Sequence, residues 1–248
     1  MSLGIIIKWI LFPGFNLHAR QRYAVIPEHF SVNGANADSK VLDAGCGNGM
    51  LSYKSYLGGN RVVGVTIKEG ECRRCRDLFN AYLAVPEDRL RFEVLNLHEV
   101  DRLKSQFDEI ICSEVLEHIE DDSAICREFA AILKPGGFLH LCCPNAEHPD
   151  NIHHAIDEDE SGGHVRAGYT FESYRTLLEP LGFELTESDR LGGTIRQFFN
   201  KRIIAHGIRY GRIAEAFWFA LSLPFVWLDR FVPFIPYSIY VKAVKKDT

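Results

Sequence analysis

A chain of 248 residues, 46% hydrophobic and 25% charged, can bury one ordinary globular core with an elaboration. Its net charge of -5 argues against a dedicated nucleic-acid binder, which is usually basic overall. Its seven cysteines build no short secreted framework, and their odd number points to reduced thiols and a cytoplasmic address.

Met1 to Leu17 is apolar, with Lys8 its only charge. It lacks a signal peptide's basic start and small-residue cleavage site, and it is too short to span a bilayer. It reads as an apolar arm that packs on the domain or touches a membrane surface. Next, the strand Val41-Leu42-Asp43-Ala44 runs into Gly45-Cys46-Gly47-Asn48-Gly49, with glycine at every second position. Glycine tolerates positive φ and has no Cβ, so this turn lets backbone approach a ligand closely. Met50 stands where the dinucleotide fingerprint needs its last glycine.

Strand and helix patterns then alternate as a parallel sheet with crossover helices requires. Strands are predicted at Arg61 to Ile67, Leu90 to Leu95, Phe107 to Cys112 and Phe138 to Cys143. Helices are predicted from Glu69 to Ala84, closed off by Pro86, and from Asp121 to Leu133, stopped by Lys134-Pro135-Gly136-Gly137. Cys72-Arg73-Arg74-Cys75 is one CxxC pair without a second, so it reads as two helix residues one turn apart, not structural zinc. Thr170 can cap a helix to about Leu181 that Gly182 ends; Phe183 to Ser188 and Ser238 to Val244 alternate as strands.

The segment Val41 to Gly49 closely resembles the first motif of class I S-adenosylmethionine (SAM)-dependent methyltransferases. Phe107-Asp108-Glu109-Ile110-Ile111, the Glu114-to-Ile119 stretch and Leu133-Lys134-Pro135-Gly136-Gly137 look like the family's later signatures. The resemblance covers roughly residues 38 to 190. It implies a Rossmann-like, seven-stranded α/β sheet whose last strand is antiparallel, with a helical insertion before that strand. Residues 1–37 would be the arm and a helix, 38–190 the SAM-binding core, 191–236 the insertion over the acceptor site, and 237–248 the last strand and tail.

By the same resemblance, Asp43, Gly45, Cys46 and Gly47 hold the methionine part of SAM, with peptide amides around positions 45 to 49 cradling the ligand. The second strand of the family usually ends in a carboxylate for the ribose; here Thr66 and Ile67 stand there. Val63-Gly64-Val65-Thr66-Ile67 looks like the cyclopropane fatty acid synthase branch, which has threonine there and a glutamine five residues later. Glu71 occupies that later position and is expected to take the ribose hydroxyls, with Glu69 as the alternative. Asn96 and Leu97 are placed near the adenine, and Ser113 on the other side of SAM.

The sulfonium methyl is already activated, so the protein must chiefly align the acceptor and exclude water. A general base adds rate where the nucleophile carries a proton. Glu114, Glu117 and His118 have the i, i+3, i+4 spacing that puts side chains on one helical face. Two carboxylates and an imidazole could hold a divalent cation such as Mg. Ubiquinone-pathway O-methyltransferases and small-RNA 2′-O-methyltransferases carry the same E-x-x-E-H pattern. In the RNA enzymes a histidine beyond a Pro-Asn stretch completes the site, a place His164 matches here. Without metal, His118, His148 or His153 would be the base, in that order.

Residues 190 to 212 carry Arg190, Arg196, Lys201, Arg202, Arg209 and Arg212 with no acid, and an uncharged run rich in Phe and Trp follows from Ala216 to Leu228. Prolines 224, 233 and 236 break a pattern already too short to span a membrane. A basic stretch beside Trp218 and Trp227 has the composition of an interfacial element, so peripheral membrane contact through residues 196–236 is expected, with a homodimer contact or a helical cap as alternatives. The leading expectation is O-methylation of a small, apolar or lipid-linked acceptor. The alternatives are a carbon methyltransferase acting on lipid chains, as Thr66 suggests, and a non-catalytic SAM-fold binding protein.

Overall fold

A computed structural model describes residues 12–30, 39–152 and 163–246. Seven strands form one sheet: β1 Lys40–Ala44, β2 Arg61–Thr66, β3 Leu90–Val94, β4 Phe107–Ser113, β5 Leu133–Pro144, β6 Phe183–Leu191 and β7 Ser238–Lys245, in the order β3-β2-β1-β4-β5-β7-β6. β1 pairs in parallel with β2 and β4, β2 with β3, and β4 with β5. β7 runs antiparallel to β5, with Leu141 opposite Val241. This is the sheet that the resemblance implied. Strands covered on both faces must be apolar throughout, which is why Val41, Leu42, Ala44, Ile110, Ile111 and Leu139 are all buried.

The crossover helices follow from their sequence signals. Asp121 accepts a hydrogen bond from the Ala124 amide at 2.8 Å and so starts the helix Asp122–Ile132. That helix buries Ile125, Cys126, Phe129 and Ile132 on one face. Thr170 and Ser173 form a reciprocal capping box at the head of Phe171–Leu178, and Gly182 (φ +83°) ends the following 3-10 turn.

Two elements depart from expectation. β5 begins at Leu133, not Phe138: Leu133 already pairs with Phe107, and the register then shifts so that Glu109 meets Phe138. A bulge absorbs Lys134 to Gly137, with Gly136 at φ +71°. The helix from Glu69 becomes π-helical over Arg76–Tyr82.

The chain divides into two compact units, one of Ile26–Asp189 with Ser238 onward, the other of the residues up to Val25 with Arg190–Tyr237. The second unit holds the helices Leu17–Val25, Thr194–Tyr210 and Arg212–Ser222 around buried Phe15, Leu17, Phe199 and Ile203. Asp229 caps the helix at Thr194 by accepting from the amides of Ile195 (2.7 Å) and Arg196 (3.0 Å). Among the described residues no helix is long and apolar enough to cross a membrane.

Candidate active site

Strand order reverses between β1 and β4, and open α/β sheets bind ligands beyond the carboxyl ends of strands at such a point. A cleft of about 280 Å³ lies there. Its walls come from the turns after β1 (Gly45, Gly47), β2 (Thr66 to Lys68, Glu71), β3 (Leu95 to His98) and β4 (Glu114, Val115, His118, Ile119). Of the expected cofactor residues, Gly45, Gly47, Thr66, Ile67, Glu71, Asn96 and Leu97 line it. Asp43 and Cys46 are buried behind it, and neither they nor Ser113 form its wall.

Three amides of the expected cradle are engaged within the protein. The amides of Gly45 and Cys46 both donate to the Val65 carbonyl (2.9 and 2.8 Å), and that of Gly49 to the Cys46 carbonyl at 2.8 Å. Those three donors are spent on tying β1 to β2 and closing the turn. What the lack of a side chain at Gly45 and Gly47 contributes is room.

Asp43 accepts from Ser52 Oγ at 2.5 Å. Burial pushes its pKa up to about 6, and the bonds from Ser52 only partly offset that. The Cys46 thiol is held well above its usual pKa, first by its hydrogen bond with Cys75 and then by burial. Cys46 is therefore not a nucleophile at neutral pH. All seven cysteines are buried and free, and none enters a disulfide.

At the second strand Thr66 Oγ1 donates to Glu71 Oε2 at 2.9 Å, and Lys68 Nζ lies 3.9 Å from Glu71 Oε1. Glu71 thus turns its carboxylate toward the strand end, whereas Glu69 is exposed and outside the wall. The Asn96 amide oxygen accepts from the His98 amide at 3.0 Å. Lys68 and His98 line the cleft although the sequence reading did not single them out. Their only signal was position, just past the ends of β2 and β3.

The stretch after β4 is not the helix that the i, i+3, i+4 argument required. Glu114 sits at φ +58°, Val115 at φ -135°, and only Leu116–His118 forms a 3-10 turn. The left-handed residue breaks the helical face, so Glu114 separates from Glu117 and His118. Its Oε1 accepts instead from Ser238 Oγ at 3.4 Å. The group whose ligand atoms lie within 4.8 Å of one another is Glu117, His118 and His164.

His118 Nδ1 lies 2.7 Å from the Gly163 carbonyl oxygen, which can only accept, so Nδ1 carries the proton and neutral His118 keeps a lone pair on Nε2. The His164 ring meets the His118 ring edge-on at 4.7 Å. A histidine fixed by a carbonyl behind it is the usual setting of a metal ligand, so this donor set fits a divalent cation. His148 is arranged otherwise: its Nδ1 accepts from the Asp150 amide at 3.2 Å, which leaves the proton on Nε2. His148 does not line the cleft, and His153 lies outside the described residues.

Residues 15–188 match a family profile described as a methyltransferase domain. The chain is 33% identical to a ubiquinone biosynthesis O-methyltransferase of Bordetella bronchiseptica over 118 residues, 45% of each chain. It is 34% identical over 172 residues to the 27-O-demethylrifamycin SV methyltransferase of Amycolatopsis mediterranei, covering 66% of this chain and 61% of that one. These matches span only about half the length of such relatives. Among solved structures, the magnesium protoporphyrin IX methyltransferase of Synechocystis with bound S-adenosylhomocysteine superposes with a TM-score of 0.61 at 19% identity, covering 93% of this chain and 84% of that one. A [4+2]-cyclase gives a TM-score of 0.63 at 16% identity, covering 93% and 82%. At such identities the likeness concerns the fold alone.

Proposed function

The chain belongs to the class I SAM-dependent methyltransferase family, and from that membership we propose that it methylates an oxygen of a small, apolar or lipid-linked acceptor. The observation carrying this reading is the cleft at the strand-order reversal, where side-chain-free Gly45 and Gly47 face Glu71 and Asn96. In this reading SAM lies along the ends of β1 to β3. Glu71, steadied by Thr66, takes the ribose hydroxyls, and Asn96 with Leu97 flanks the adenine. Asp43, Cys46 and Ser113 support the turn from behind.

Where no metal is bound, His118 is the general base for an acceptor hydroxyl, because its Nε2 lone pair is available at the cleft wall. A divalent cation, where bound, would be held by Glu117, His118 and His164 and would lower the acceptor's pKa. The names of the ubiquinone-pathway and rifamycin relatives support an oxygen acceptor of apolar character. The protein would work in the cytoplasm, at the periphery of a membrane.

Calorimetry with S-adenosylhomocysteine should give micromolar binding, and an absence of heat would overturn the reading. Methyl transfer from SAM into a lipid extract should then fail for Glu117→Ala and in chelator. Transfer that survives both would remove the cation while leaving the methyltransferase assignment intact.

A further inference from the structure

We propose that the unit built from Arg190–Tyr237 docks on an anionic lipid bilayer, a contact independent of the cleft. Seven cations and two carboxylates give residues 190–237 a net charge of +5 inside a chain of net -5, so the rest of the chain carries -10. Of the two acids, Asp229 is buried and occupied as a helix cap. Glu215 is half-buried, so the exposed charge of this unit is almost wholly positive. A bilayer bearing acidic headgroups is the complementary partner.

Exposed apolar side chains stand in the same unit as those cations, some directly beside them. On the helix Arg212–Ser222, Ile213 (87% exposed), Phe217 (62%) and Leu221 repeat every four residues and so form one stripe open to solvent. Ile208 (84%), Trp227 (52%) and Phe231 (65%) are also open. The opposite face, carrying Trp218 and Phe219, packs on the unit's own core. Arg202 lies 3.5 Å from the Phe198 ring centroid, and Arg230 lies 4.6 Å from that of Phe231. Between the start of the helix Thr194–Tyr210 and Phe225 runs an apolar groove of about 400 Å³, walled by Ile195, Phe198 and Phe199. Exposed apolar stripes beside cations are the composition of elements that lie in the membrane interface, where Trp and Arg are both accommodated. Among the described residues no helix is able to span, so the contact proposed for this unit is peripheral.

The test is sedimentation of the full chain with vesicles of phosphatidylcholine containing one-third phosphatidylglycerol, against pure phosphatidylcholine. The full chain should bind the anionic vesicles at least tenfold better, and high salt should weaken that binding through screening. Phe217→Glu with Ile213→Glu should lower partitioning tenfold or more, and so should Arg209→Glu with Arg212→Glu. Both pairs are exposed, and unchanged S-adenosylhomocysteine binding would certify the folded chain. Equal binding to both vesicles, or indifference to both pairs, overturns the proposal. So does a dimer in light scattering that Phe217→Glu splits, since a second copy would then be the occupant.

Discussion

At Gly45 φ is +79°, and a Cβ would lie 2.3 Å from Val115 Cγ2; at Gly47 φ is +54° and the nearest atom is the Gly45 oxygen at 3.9 Å. Both positions charge a side chain for the left-handed backbone, roughly 1–2 kcal/mol. Only the first also drives Val115, a wall of the cleft, out of place. Gly45→Ala should therefore weaken S-adenosylhomocysteine binding more than tenfold, while Gly47→Ala mainly lowers stability; calorimetry paired with urea unfolding separates the two. Asp43 and His140 make a second pair, set by burial. Asp43 keeps its proton up to about pH 6 in the fold and to 3.8 ordinarily, so its contribution to stability is full below 3.8 and fades as pH rises through 6. Burial, reinforced by the charges of Lys242 and His29, pulls His140 down to about 3 from 6.5. The folded state keeps it neutral where the unfolded chain takes up a proton, so its contribution is full above 6.5 and is lost as pH falls toward 3. The two slopes oppose each other between about pH 4 and 6. Urea midpoints across that range should rise more steeply with pH for Asp43→Asn than for the parent chain, and less steeply for His140→Gln.

The elements that hold the cleft are local in origin, which is why most were legible. Glycine after an apolar strand, Pro86 after a helical run and Thr170 before one are signals carried by neighbours in sequence. Thr170 can be tested directly: Ser173 N donates to its Oγ1 at 3.0 Å, and Thr170 N donates back to Ser173 Oγ at 2.8 Å. Thr170→Ala should cost about 1 kcal/mol, a fall in Tm of about 2–4 °C in a scan, with ligand affinity retained. An unchanged Tm would mean that Tyr169, donating to Asp122 at 2.6 Å, already fixes this helix start. The stretch after β4 was illegible for the opposite reason. A glutamate at φ +58° has no local signature, because Asn or Gly would be the usual choice there. Spacing alone therefore grouped Glu114 with Glu117 and His118, and long-range packing separated Glu114 from them, while His164, expected from the resemblance, does join the group. The bulge through Lys134 to Gly137 was hidden similarly, since Pro-Gly-Gly reads as a stop and gives no sign of strand pairing resuming across it.

At the scale of the molecule the two units differ in how much they bury. The sheet core packs Leu42, Ile110, Phe129, Leu139, Tyr174 and Val241, all essentially inaccessible, whereas the unit with Arg190–Tyr237 encloses Phe15, Leu17, Phe199 and Ile203. A fully buried side chain of this kind is worth roughly 1.5–3 kcal/mol, so the smaller cluster stabilises its helices far less than the sheet is stabilised. Composition announced an apolar, basic insertion, but the pairing of the Leu17 amide with Asn200 Oδ1 at 2.8 Å joins residues 183 apart and left no trace in either segment. Regions with few buried apolar side chains open at lower free energy than strands covered on both faces. Amides of Thr194–Tyr210 and Arg212–Ser222 should thus exchange with solvent deuterium well before those of β1, β4 and β5, and Phe199→Ala should accelerate the former without touching the latter. Uniform protection of all five elements would mean that the chain opens as one cooperative whole and that the smaller cluster borrows its stability from the sheet.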